Sequence, residues 1–193
     1  DYDVSTCSYV RELPLNDVHS GDPGPVNIKR VYALEFNDTG TKLYVGSGAN
    51  NSGNGNGPNR KIYEITLDDA FNMSGGTLTN TLDVSSEDNI PTDISFNDDG
   101  SKLFVNGFQG NTVIVYPLST DYSLAASSVG TPAEFDLPSQ TPKNKDIIFN
   151  NDGTKMYISS ADSSNDHISV YSVPTAFDLS AGFSHLGNFS VQS

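Results

Sequence analysis

Oxygen-bearing side chains are the reactive groups that this 193-residue chain repeats most regularly. Asp38, Asp98, Asp99 and Asp152 stand in three short runs, Asn37-Asp38-Thr39-Gly40, Asn97-Asp98-Asp99-Gly100 and Asn150-Asn151-Asp152-Gly153. Carboxylates gathered in loops suit calcium, a hard cation that takes several oxygen ligands at once. The regular ladder of acids that an EF-hand needs is missing, however. Asn and Asp before a glycine also build turns, by accepting hydrogen bonds from nearby backbone amides. Turn building is therefore the expected role, and calcium is the one cofactor these acids would suit, at Asp99 and Asp152. A second pair, Asp93 and Asp146, occupies matching places three residues before a repeated Phe, where the first copy has Ala33. Capping of backbone amides is expected there, with metal ligation as the alternative.

Catalysis has little to draw on. His19, His167 and His185 are scattered, with no Gly-x-Ser-x-Gly elbow and no His-x-x-x-His pair, so neither a nucleophilic triad nor a zinc hydrolase is indicated. All three are read as ordinary surface residues in or near loops, and Asp68, Asp69 and Asp121 as solvated turn acids. The single cysteine, Cys7, rules out an intrachain disulfide and a Cys/His zinc set. With 24 acidic against 10 basic residues and a net charge of −14, the chain lacks the concentrated Lys and Arg that displace counterions from nucleic acid. No apolar run reaches the length of a membrane span. Nucleic acid and membrane insertion are accordingly set aside. Asn37, Asn50, Asn72 and Asn188 head Asn-x-Ser/Thr sequons and are glycosylation candidates. The 19 Asn and 39 Ser plus Thr of the chain make about four such triplets by chance, so glycans are permitted rather than indicated.

A repeat shows which elements must position these residues. Phe36–Val45 returns as Phe96–Val105 and as Phe149–Ile158, at spacings of 60 and 53 residues. Each copy leads into a second β-rich run, Lys61–Ile65, Val113–Tyr116 or Ile168–Tyr171. An aromatic tag follows, Phe71-Asn72-Met73-Ser74, Tyr122-Ser123-Leu124-Ala125 or Phe177-Asp178-Leu179-Ser180, and then a closing run near Leu82, Phe135 or Phe189. Short β-branched and aromatic runs between Asn/Asp/Gly/Ser clusters predict an all-β chain. Four strands per repeat is the make-up of a propeller blade. One such unit exposes too much apolar surface to stand alone, so the units are predicted to stack.

The run Asp99-Gly100-Ser101-Lys102-Leu103-Phe104-Val105, with its copies over residues 30–193, resembles the bacterial and archaeal YVTN-type propeller repeat and, more distantly, lactonase-like propellers. The longer linkers and the Phe177–Ser180 tag look like the repeats of bacterial surface and secreted propeller proteins. The resemblance implies a β-propeller-type array of three four-stranded antiparallel blades plus one leading strand from a preceding blade. Residues 1–29 would be that closing strand and a linker, and residues 30–84, 85–137 and 138–193 the blades. Loops 46–60, 106–111 and 159–167, with 84–91 and 138–145 beside them, would share the ligand-bearing face.

Tyr2–Ser5 matches a tag and Tyr9–Leu13 the approach to a last strand, and an opening on Asp1 reads as a processed or excerpted sequence. Closed propellers use about four to eight blades, so the partners expected are other copies of the chain or further blades, together with glycans. The expected function is a non-catalytic extracellular or cell-surface protein, structural or adhesive, forming rings or filaments through open blade edges. The alternative is an excerpt of a larger secreted propeller enzyme, lactonase-like, or a carbohydrate-binding module.

Overall fold

The computed structural model describes residues 28, 30–48, 60–87, 90–107, 111–138, 144–160 and 166–190. The leading strand expected within residues 1–29, Cys7, His19 and Asn50 lie outside the described residues, as does most of the 46–60 loop. The described chain forms three four-stranded sheets. The first holds β1 (Val31–Phe36), β2 (Lys42–Ser47), β3 (Lys61–Asp69) and β4 (Asn72–Asp83). The second holds β5 (Pro91–Phe96), β6 (Lys102–Gly107), β7 (Thr112–Pro117) and β8 (Ala133–Asp136). The third holds β9 (Asn144–Phe149), β10 (Lys155–Ser160), β11 (His167–Ser172) and β12 (Ser184–Ser190). Within each sheet, strands follow chain order and pair antiparallel, as expected of hairpin-linked repeats. The strands β1, β5 and β9 lie side by side across the stack, each the first of its sheet.

The Asn-Asp-x-Gly signature and the aromatic tag prove to be one motif. Gly40, Gly100 and Gly153 have φ of 66°, 70° and 65°, and the tag aromatics Phe71, Tyr122 and Phe177 have φ of 55°, 54° and 54°. The amide of each aromatic donates to the carbonyl of its glycine, at 2.8, 2.9 and 3.0 Å. A Cβ on any of these glycines would come within 2.3 Å of the aromatic ring above it. Glycine is thus required twice, by its left-handed backbone and by the ring lying on it. The turn is closed by Asn37, Asn97 and Asn150, whose Oδ1 atoms accept the amides of Lys42, Lys102 and Lys155, each at 2.8 Å.

Cores form between sheets, and each sheet alternates which neighbour its side chains face. Tyr44, Ile62 and Val84 of the first sheet pack against Ile94, Leu103, Val105, Ile114 and Tyr116 of the second. Phe104 and Val113 of the second pack against Ile147, Met156, Ile158 and Tyr171 of the third. A third cluster, including Leu43, Val45, Tyr63 and Ile65, covers the face of the first sheet that points away from the second, with Ile28 on it. Hydrophobic burial of this kind is the main stabilising force of the stack.

Candidate functional site

Each first strand carries an irregularity early in its length, between Val31 and Ala33, between Pro91 and Asp93, and opposite Ile158 to Ser160 in the β9 pairing. Such bulges re-aim the side chains that follow them. In β5 and β9 the re-aimed residues are Asp93 and Asp146. In β1 the equivalent Ala33 sits against Gly46, where a Cβ would come within 2.9 Å of the Ala33 Cβ. The first strand instead contributes Glu35, two residues further on. Glu35, Asp93 and Asp146, with Ser95, Tyr157 and Ser159, line an open groove of about 560 Å³ along the adjoining first strands.

The three carboxyl groups are held differently. Asp93 Oδ2 accepts the amide of Ile147 on the next sheet, at 2.9 Å. Burial lifts Asp93 to about 6 and Asp146 adds to this, against the pull of the Ile147 and Ile94 amides. Burial pushes the Glu35 carboxyl up to about 7, with the Asp93 charge beside it adding to the shift. Asp146 is exposed and accepts from the Ser159 hydroxyl at 2.9 Å. The Glu35 and Asp93 carboxyls therefore hold a proton to higher pH than an exposed acid does, so each is able to donate as well as to accept. Among the described residues no group of three or more acids, histidines or cysteines is arranged to hold a metal ion.

The turn acids are elsewhere and do not converge. Asp99 Oδ1 accepts the Ser101 amide at 2.9 Å and the Asn97 Nδ2 at 2.8 Å, and Asp152 Oδ1 accepts the Thr154 amide at 3.0 Å. Those local hydrogen bonds, the hydroxyl of Ser101 or Thr154 first, hold both carboxyls below the usual range. Asp38 Oδ1 accepts the Tyr122 hydroxyl at 2.6 Å, tying the first sheet to the second. Of the sequon residues, Asn37 is buried in its turn, while Asn72 Oδ1 accepts the Ser74 amide at 3.1 Å and Asn188 Oδ1 accepts the Ser169 hydroxyl at 2.8 Å. The reading of His167 as an ordinary surface residue is corrected. It opens β11, paired with Ser160, and is 3 % exposed, because that strand starts earlier than its apolar run suggested. His185 stands on β12 with its ring 5.3 Å from Tyr171.

Two further residues of the stack carry no repeat signature, and sequence reasoning passed over them. Glu35 stands where the other copies have Ser95 and Ile148, and Glu64 where they have Val115 and Val170. A charge in a β run that is otherwise apolar was the available signal. Glu64, 2 % exposed, accepts from Lys42 Nζ at 2.9 Å, Asn80 Nδ2 at 3.0 Å and the Leu124 amide at 2.7 Å. Buried charge is tolerated there because it is paired and multiply hydrogen-bonded.

No protein-family model and no curated protein matches the chain. Solved structures do. A putative 6-phosphogluconolactonase from Bacteroides uniformis matches at TM-score 0.55 and 12 % identity, over 82 % of this chain and 40 % of its own. The Cps50 (Swd1) β-propeller domain of Myceliophteria thermophila matches at TM-score 0.50 and 12 % identity, over 84 % and 44 %. A nidogen/laminin complex matches at TM-score 0.51 and 13 % identity, over 82 % and 48 %. The fold is that of β-propeller blades. The chain spans less than half the length of these structures. Their differing names show that the fold is shared without the function, and the YVTN resemblance finds no support from a family match.

Proposed function

We propose that the chain forms part of the channel wall of a propeller that binds an uncharged, polyhydroxylated ligand, a sugar or sugar lactone, on the row of Glu35, Asp93 and Asp146. The observation that carries this is the open groove in which Glu35, Asp93 and Asp146 line up from three adjoining first strands, with burial raising the first two carboxyls. Glu35 donates to a ligand oxygen and Asp93 accepts from a ligand hydroxyl, roles open to carboxyls that burial raises. The name of the Bacteroides uniformis structure supports the lactone class. Its phosphorylated form fits poorly, because none of the described residues lining the groove is basic. An extracellular or cell-surface setting belongs to the same proposal. The exposed Leu186 and Phe189 on β12 support, as a second reading, a role in building an array.

The test is calorimetric titration with D-gluconolactone and with its 6-phosphate, at pH 6 and pH 8. Binding of the uncharged lactone alone is expected, weaker at pH 8 once Glu35 has lost its proton. Asp93→Asn should weaken it about tenfold, the cost of one charge-assisted hydrogen bond. Equal binding of both lactones, or indifference to Asp93→Asn and Glu35→Ala, would contradict the proposal, whereas Glu35→Gln, which keeps a donor, should remove the weakening at pH 8.

A further inference from the structure

The two blade interfaces repeat one set of contacts, and the last blade carries the first half of a third set. At the first interface Lys42 Nζ donates to the carbonyl of Tyr122 at 2.7 Å, and the Tyr44 ring lies 4.6 Å from Phe96. At the second, Lys102 Nζ donates to the carbonyl of Phe177 at 2.9 Å, and the Phe104 ring lies 4.5 Å from Phe149. In both, the lysine after the turn reaches the backbone of the next blade's aromatic tag. Lys155 and Tyr157 hold these places in the third blade. Lys155 is exposed and Tyr157 only half-buried, whereas Tyr44 and Phe104 are fully buried.

The rest of that face agrees. Leu82 packs into the first interface and Phe135 into the second, while their counterpart Phe189 is 66 % exposed, beside Ile168 on β11. Ile148 on β9 is 60 % exposed on the same side. These are the positions that a following blade covers twice within this chain, so the open face continues an established interface.

We infer that the face built by Lys155, Tyr157, Ile168 and Phe189 seats a further four-stranded blade of the same repeat. That blade's first-strand Phe rests on Tyr157, and its tag carbonyl accepts from Lys155 Nζ. A second copy of this chain is the poorer occupant. Its matching face, across Leu43, Val45 and Ile65, is already buried and opens only at β1, where Leu34 is 58 % exposed. The ligand groove shares Tyr157 and Ile168 with this face, so a seated blade covers that end of the groove and leaves the row of Glu35, Asp93 and Asp146 beside it.

The experiment compares the 193-residue chain with one extended by a second copy of residues 138–193, each carrying Lys155→Ala or Phe189→Asp. In the original chain both substitutions are expected to move Tm by less than about 1 °C, and in the extended chain to lower it by roughly 3 °C or more. Amides of the appended repeat should be protected from hydrogen exchange. Substitutions that behave alike in both chains, or an appended repeat without protection, would overturn the inference. So would a fall of several degrees for Phe189→Asp in the original chain, since the face would then be packed already. Sedimentation showing a dimer of the original chain that Phe189→Asp dissolves would give the face to a second copy instead.

Discussion

The two interfaces between blades share a backbone plan and differ in chemistry. Between the first and second blades, Lys42 meets both a carbonyl and the buried Glu64, Asp38 holds the Tyr122 hydroxyl, and Glu35 and Asp93 share the groove. Between the second and third, Val115 replaces Glu64, Phe177 has no hydroxyl to offer, and Asp93 caps the Ile147 amide. Repetition thus fixes geometry through glycine, aromatic and lysine, while departures from repetition place charge. The lesson is that function in such an array is sought where one copy breaks the pattern. The first interface breaks it three times.

That contrast can be broken most forcefully at Glu64. Glu64→Ala leaves the buried Leu124 amide without its acceptor and the Lys42 ammonium with the Tyr122 carbonyl but no counter-charge, and is expected to cost about 3 kcal/mol in chemical denaturation, well beyond the loss from Val115→Ala. A double-mutant cycle of Glu64 with Lys42 should show strong coupling, whereas Val115 and Lys102 should be close to additive. Tyr122→Phe makes the first interface resemble the second and should cost about 1 kcal/mol through the lost hydrogen bond to Asp38.

Stability against pH gives a smaller effect with a definite sign. Glu35 and Asp93 have folded values raised above their ordinary ones, so their contribution is full below about pH 4 and is lost as pH rises through 6 to 7. Both are partly solvated, which moderates the size. Tm should therefore drift down between pH 5 and pH 8, and Glu35→Gln should flatten most of that drift. The turn acids Asp99 and Asp178, held low by Ser101 and Ser180, act in the opposite sense, and their contribution is lost only as pH falls below the ordinary carboxylate range. The smallest change is expected for exposed Asp99→Asn, within about 0.5 kcal/mol by thermal unfolding.

The strands and turns were legible because their causes are local. The Asn and glycine of each turn act within a few residues, and the β-branched runs alternate faces as written. The role of the repeated lysine was not legible, since its acceptor lies in the next repeat, 80 residues away for Lys42 and 75 for Lys102. Asp93 and Asp146 were singled out by matching position, and the structure adds what position alone does not tell, that Asp93 reaches across to Ile147. Glu35 escaped because it matches nothing in the other copies, and only the side-by-side placement of β1 and β5 brings it to Asp93. His167 was misplaced because a short apolar run marks the middle of a strand better than its ends.

The most direct test of the carboxyl row is a pH titration of the side-chain carboxyl carbons by NMR, with and without D-gluconolactone. The account predicts Glu35 titrating near 7 and Asp93 near 6, both moved by the ligand, while Asp99 and Asp152 titrate low and do not respond. Ordinary values for Glu35 and Asp93, with no response to the ligand, would contradict it.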